Sequence, residues 1–156
     1  MIEIDVPGRG TYRFDHLVLD FNGTLALDGQ LLDGVEERLR EISKHLQIII
    51  ATADTFGTAG SLEARLGAKV LVMEPGSEVA QKRALVEHLD KERTVSIGNG
   101  ANDVTMLRTA ALGICVLGRE GASPEALASS DLVFVSINDA LDALLNPRRL
   151  VAGLRR

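Results

Sequence analysis

Six short apolar runs recur along the chain, at 17–19, 47–51, 69–73, 94–97, 112–117 and 132–135, and segments of helical period separate them. Strands that alternate with helices in this way must be joined by crossovers, so the pattern expects a parallel sheet covered on both faces. Val35, Leu39, Ile42 and Leu46 recur at helical spacing and predict an amphipathic helix begun near Asp33. Further helices are expected over 57–66, 78–89, from the 98–103 turn through Ala110, from Pro124, and over 138–145. Two hairpins interrupt the alternation. Residues 2–6 and 11–14 flank the turn residues Pro7, Gly8, Arg9 and Gly10, and Asp28-Gly29 lies between two short apolar arms. The fold class expected is α/β, a three-layer Rossmann-like sheet with an N-terminal hairpin, a β-hairpin flap and no cap domain.

The length, with apolar residues at 46% and charged residues at 25%, suits one globular core, so residues 1–156 are read as a single domain. A net charge of -5 with interspersed signs argues against nucleic acid as the main partner. No apolar run reaches the roughly 20 residues that span a bilayer, so no membrane partner is expected. Cys115 has no second cysteine to pair with and sits in an apolar run, which reads as a buried thiol of a cytoplasmic protein. The basic end, 148–156, reads as a solvated helical tail.

Four polar clusters fall at the carboxyl ends of expected strands or on the helix that follows: Asp20 to Thr24, Thr52, Lys82, and Gly98 to Asp103. Open α/β sheets bind ligands at those ends. A carboxylate, a hydroxyl, an ammonium and a second acidic loop together can hold a phosphoryl group with a divalent cation, and oxygen donors of this kind suit magnesium. Each cluster alone has a plain structural reading, as a turn former, a helix cap, a solvated lysine or a glycine loop. Their order on successive strand ends joins them. Asp54 reads equally as a helix cap or as a contact to substrate or Lys82.

Asp20-Phe-Asn-Gly-Thr-Leu25, Thr52, Lys82 and Gly98-Asn-Gly-Ala-Asn-Asp103 resemble the four motifs of the haloacid dehalogenase-like hydrolases, in particular their capless, soluble P-type-ATPase-like phosphatases. The resemblance implies that Asp20 is phosphorylated, that Thr52 and Lys82 hold phosphoryl oxygens, and that Asn22, Gly23 and Asn102 line the substrate. It also implies that Asp20, Asn22 through its backbone carbonyl, Asn99 and Asp103 serve Mg2+. The implied activity is hydrolysis of a small phosphorylated substrate.

Two positions depart from that family's usual pattern. Asn22 stands where an acid–base Asp is common, which predicts slow turnover of alkyl phosphates, since such help is worth about 10² to 10⁴-fold. Asn99 stands where a magnesium-binding Asp is usual, which predicts weaker cation binding. The same two asparagines support an alternative, a degenerate non-catalytic member that binds a phosphorylated ligand or partner. A receiver-like signalling module is a further rival, but it leaves Gly98 to Asp103 unexplained. Expected helices and strands nearly use up 21–51 and 53–81, leaving no room for a cap, so the flap or a homo-oligomer is expected to cover the site.

Overall fold

The structure, a computed structural model, describes residues 1–53 and 59–156. Its centre is a six-stranded sheet in the order β10-β9-β8-β3-β6-β7, parallel throughout. The strands are β3 (His16–Asp20), β6 (Gln47–Thr52), β7 (Lys69–Val72), β8 (Thr94–Gly98), β9 (Leu112–Val116) and β10 (Leu132–Phe134). Before them β1 (Ile2–Val6) and β2 (Gly10–Phe14) form a separate antiparallel hairpin. Its alternation buries Ile2, Ile4 and Val6 and exposes Glu3 and Asp5.

Side chains on alternate residues of the central strands enter two different cores, as period 2 requires. Leu17 and Leu19 of β3, Ile48 and Ile50 of β6, and Leu112, Ile114 and Val116 of β9 face one side. That side is covered by the hairpin, α1 (Val35–Ile42), α2 (Ala59–Leu66), α6 (Ile137–Leu145) and α7 (Arg148–Leu154). Val18, Ala51 and Cys115 face the other side, under α3 (Glu78–His88), α4 (Val104–Thr109) and α5 (Pro124–Ser129). Each fully buried Leu or Ile stabilises the fold by about 1.5–3 kcal/mol. The layers are therefore fixed by strands that are apolar on both faces, the pattern of a covered parallel sheet.

Between β3 and α1 lie only two-residue arms, β4 (Ala26–Leu27) and β5 (Gln30–Leu31), joined through Asp28 at φ 51 and Gly29 at φ 78. Two successive positive φ values define the tight primed turn that Asp-Gly favours. No cap is inserted there or at 73–77, between β7 and α3. Helix α6 starts at Ile137, one residue earlier than expected, because the Ser136 hydroxyl accepts from the Asp139 N–H and caps it. The basic end is a helix but not a solvated one. Leu150 and Leu154, four residues apart, are buried against the hairpin core, and this spacing outweighs the charges around it. Cys115 is buried as expected, and burial pushes its thiol up.

Candidate active site

Chain order places a crevice beside Asp20. From β3 the chain moves outward through β6 to β7, then returns to the other flank of β3 and moves outward again through β8, β9 and β10. The reversal falls between β3 and β8, the topological switch point where such sheets bind ligands. Asp20 ends β3 there. Its neighbour Leu19 pairs with Ile97, so Gly98 and Asn99 leave β8 on one side of it. Asp20 itself pairs with Ala51, so the buried Thr52 lies one residue further on the other side.

Helix α3 closes the crevice with Lys82. Lys82 and Val86, one turn apart, are buried on the same face of α3, and Lys82 is only 1% exposed. Its Nζ donates to Asp20 Oδ1 and to Asp103 Oδ1, both at 2.7 Å. Asp103, wholly buried, also accepts from the Asn99 and Gly100 N–H groups at 3.0 Å through Oδ2. It thus folds its own loop back and anchors the lysine at once. Only glycine fits at 98, because a Cβ there would lie 2.6 Å from Asp103 Cγ.

The opposite oxygen of Asp20 faces a different pair. Thr24 Oγ1 lies 3.2 Å from Asp20 Oδ2 and 3.2 Å from Asn99 Oδ1, and it donates its one proton to either. The Asn99 amide is oriented by donating from Nδ2 to the Gly121 carbonyl at 3.1 Å, which leaves its oxygen facing the Thr24 hydroxyl. Gly23, at φ 78, makes the approach of Asn99 possible. A Cβ there would lie 2.7 Å from Asn99 Nδ2 and 2.6 Å from Glu120 Oε2. The Gly23 N–H donates to the Ala26 carbonyl at 2.8 Å, within its own turn.

Two buried carboxylates share one buried ammonium, so the cluster carries a net negative charge. Burial pushes the Asp20 carboxyl up to about 6, and the Asp103 charge adds to the rise, while Lys82 and the Thr24 hydroxyl oppose it. Burial also works against the Lys82 charge, but the two carboxylates outweigh it and hold the ammonium above its ordinary value. Lys82 is therefore a fixed cation, and Asp20 is a carboxylate near the edge of ionisation.

The structure thus brings together Asp20, Lys82, Asn99 and Asp103, and sets Thr52, Asn22 and Gly23 beside them on the same strand ends. Asn102 stands apart from the buried cluster, exposed on the 3-10 turn at 101–103. Asp54 lies outside the described residues. Thr24 was legible as part of the first motif, yet its contact with both Asp20 and Asn99 depends on the turn after β3. Glu120 was missed. Its only signal was the pair Gly118 and Gly121 on either side of it, which close a turn through a 2.9 Å backbone bond. That loop, the flap and the start of α6 enclose a cleft of about 650 Å3 that reaches Gly23 and Thr24.

This sheet, with an acid–lysine–acid cluster at its switch point, defines an α/β enzyme built around a buried aspartate. Residues 81–146 match the family model of the haloacid dehalogenase-like hydrolases. An uncharacterized protein of Methanocaldococcus jannaschii is 50% identical over 84 residues, which is 51% of this chain and 90% of that protein. A soluble P-type ATPase-like phosphatase of the same organism is 27% identical over 122 residues, 76% of this chain but only 45% of that one. Among solved structures, 3-deoxy-D-manno-octulosonate 8-phosphate phosphatase from Moraxella catarrhalis, in complex with magnesium, phosphate and KDO, has a similar fold. Its TM-score is 0.65 at 17% identity, over 85% of this chain and 86% of that one. The chain belongs to the haloacid dehalogenase-like hydrolase family. No helix among the described residues is long and apolar enough to cross a membrane.

Proposed function

We propose that this phosphatase hydrolyses small phosphorylated substrates with Asp20 as nucleophile and with magnesium as cofactor, residues 1–156 working as one unit. The observation that carries the reading is the division of labour on Asp20: Lys82 holds Oδ1, and Oδ2 meets the Thr24 hydroxyl, which also reaches the Asn99 amide oxygen. Two acceptor oxygens that converge on one hydroxyl are a fitting start for a magnesium site, since that ion takes oxygen donors and keeps several waters. Asp20 Oδ2, Asn99 Oδ1 and the Asn22 carbonyl are the proposed ligands. Asp103 holds Lys82 and its own loop and adds negative charge, and the remaining lone pair of its Oδ1 is left for the cation or one of its waters. When bound, the cation supplies positive charge beside the phosphoryl oxygens.

In the first step an Asp20 carboxylate oxygen bonds to phosphorus and the bond to the leaving oxygen breaks, giving an aspartyl phosphate and an alkoxide, phenolate or carboxylate that takes any proton it needs from water. In the second, a water oxygen bonds to phosphorus and its proton passes to solvent, the bond between phosphorus and the Asp20 oxygen breaks, and inorganic phosphate leaves with the Asp20 carboxylate restored. In this reading Lys82 stabilises the equatorial oxygens in both steps and Thr52 donates to them. Asn22 cannot supply a proton to the leaving oxygen, so aryl and acyl phosphates are the proposed preferred class. That a similar solved phosphatase carries magnesium and phosphate supports the cofactor.

The test is magnesium-dependent phosphate release from an aryl phosphate and from acetyl phosphate by wild type and by Asp20→Asn. Release that vanishes in the variant supports the reading. A folded wild type no faster than the variant on either compound overturns it in favour of the non-catalytic binding role. Exposed Leu117 and Val135 on the open cleft support a homo-oligomer, which sedimentation of the full chain tests. A single buried thiol is in keeping with a cytoplasmic setting.

A further inference from the structure

The sheet has a second polar cleft at the end away from Asp20. It measures about 540 Å3 and lies between the β1–β2 hairpin, the 3-10 turn at 91–93 and the junction of α4 with β9. Four cations line it, Arg9, Arg13, Lys91 and Arg108, against one carboxylate, Glu92, in a chain whose net charge is -5. The amino end of β3 borders this region and Asp20 ends the same strand, so the two sites are on the order of 15 Å apart along it.

These cations are incompletely spent. Arg13 is held by Glu3 at 2.7 Å, but Arg9 meets Asp131 only at 3.7 Å and Lys91 meets Glu92 only at 3.9 Å, both beyond hydrogen-bond length. Arg108 donates to the Ser129 hydroxyl at 2.9 Å and makes no ion pair among the described residues. The Arg9 Nε is buried, with no hydrogen-bond partner among the described residues. A buried N–H without an acceptor is costly, and guanidinium groups match the paired oxygens of an oxyanion.

We propose that this cleft is a binding site for a compact polyanion with two or more negative charges, such as pyrophosphate, separate from the Asp20 centre. Arg9 and Arg108 are its main contacts, with Lys91 adding charge. Thr11, Tyr12 and Thr109 complete a lining with little apolar surface, so a hydrophilic anion fits and one with a greasy tail does not. The chain's net charge of -5 favours a small anion over a nucleic acid backbone, which needs an extended basic face.

The test is calorimetric titration of the metal-free full chain with pyrophosphate in EDTA at fixed ionic strength. Wild type and Asp20→Asn are expected to bind alike at one site. Arg9→Ala and Arg108→Ala are each expected to weaken binding by about tenfold or more, the loss of one charge-assisted contact. Arg9→Gln and Arg108→Gln serve as replacements if either alanine variant unfolds. Absence of binding by wild type, full binding by the double arginine variant, or loss of binding in Asp20→Asn overturns the proposal. Arginine-dependent capture of duplex DNA in preference to pyrophosphate also overturns it, by making the cleft part of a nucleic-acid surface.

Discussion

Replacing Asp20 with asparagine is expected to stabilise the metal-free protein, although it removes the proposed nucleophile. The reason is the charge count: two buried carboxylates around one ammonium leave an excess negative charge, which the substitution removes. A carboxyl displaced from 3.8 to about 6 costs the folded state about 3 kcal/mol once the solution is well above pH 6. The sign follows from proton binding. The folded protein holds this proton more tightly than the unfolded chain, so the stability linked to Asp20 is complete below pH 3.8 and is lost as pH rises through about 6. An asparagine at 20 keeps the contacts, since its oxygen can accept from Lys82 and its amide can donate to Thr24 Oγ1, leaving the hydroxyl to donate to Asn99. Thermal unfolding in EDTA at pH 8 is therefore expected to show a gain of up to about 3 kcal/mol, or roughly 6–12 °C in Tm. The gain is expected to vanish near pH 4. Added magnesium should raise the Tm of wild type more than that of the variant. A variant less stable than wild type at pH 8, or a difference that does not change with pH, refutes the electrostatic account.

Three further outcomes follow from the same cluster. Lys82→Met strands two buried carboxylates and is expected to cost about 3–5 kcal/mol at pH 8 by urea unfolding, with less loss at pH 5, where one carboxyl takes a proton. Magnesium competes with the Asp20 proton, so its apparent affinity, followed by calorimetry, should fall about tenfold per pH unit below about 6 and level off above it. Asn22→Asp is expected to raise turnover of an alkyl phosphate by about 10²-fold or more while changing an acyl phosphate little, because only the alkyl leaving group needs a proton. Equal gains on both substrates would count against the role given to position 22.

The strands and their ends were legible because period and residue type are local. Asp20, Thr52 and Asn99 could be placed from the end of a β-branched run alone. Lys82 could not. Its helix has no clear apolar face in sequence, and its burial depends on Asp20 and Asp103, distant in the chain, being brought to the same point. Thr24 was visible as a residue, but its two contacts arise from a turn whose geometry also requires Gly23. The C-terminal helix was misread because the four arginines of 148–156 outnumber its two buried leucines, and only the four-residue spacing of Leu150 and Leu154 shows the packing. Glu120 was beyond reach, since nothing local says that the loop after β9 folds back to Gly23.

The acid–lysine–acid cluster also sets an order in which this site can decay over generations. Loss of Lys82 or Asp103 alone removes a member that holds others in place, Asp103 through its two backbone contacts and Lys82 through both acids. Loss of Asp20 alone brings the cluster to neutrality. Descendants freed from selection for catalysis are thus expected to shed Asp20 first and to keep the lysine and Asp103 as a surviving pair. A gene copy that retains Asp20 with this pair, despite the destabilisation it brings, carries the mark of selection for chemistry.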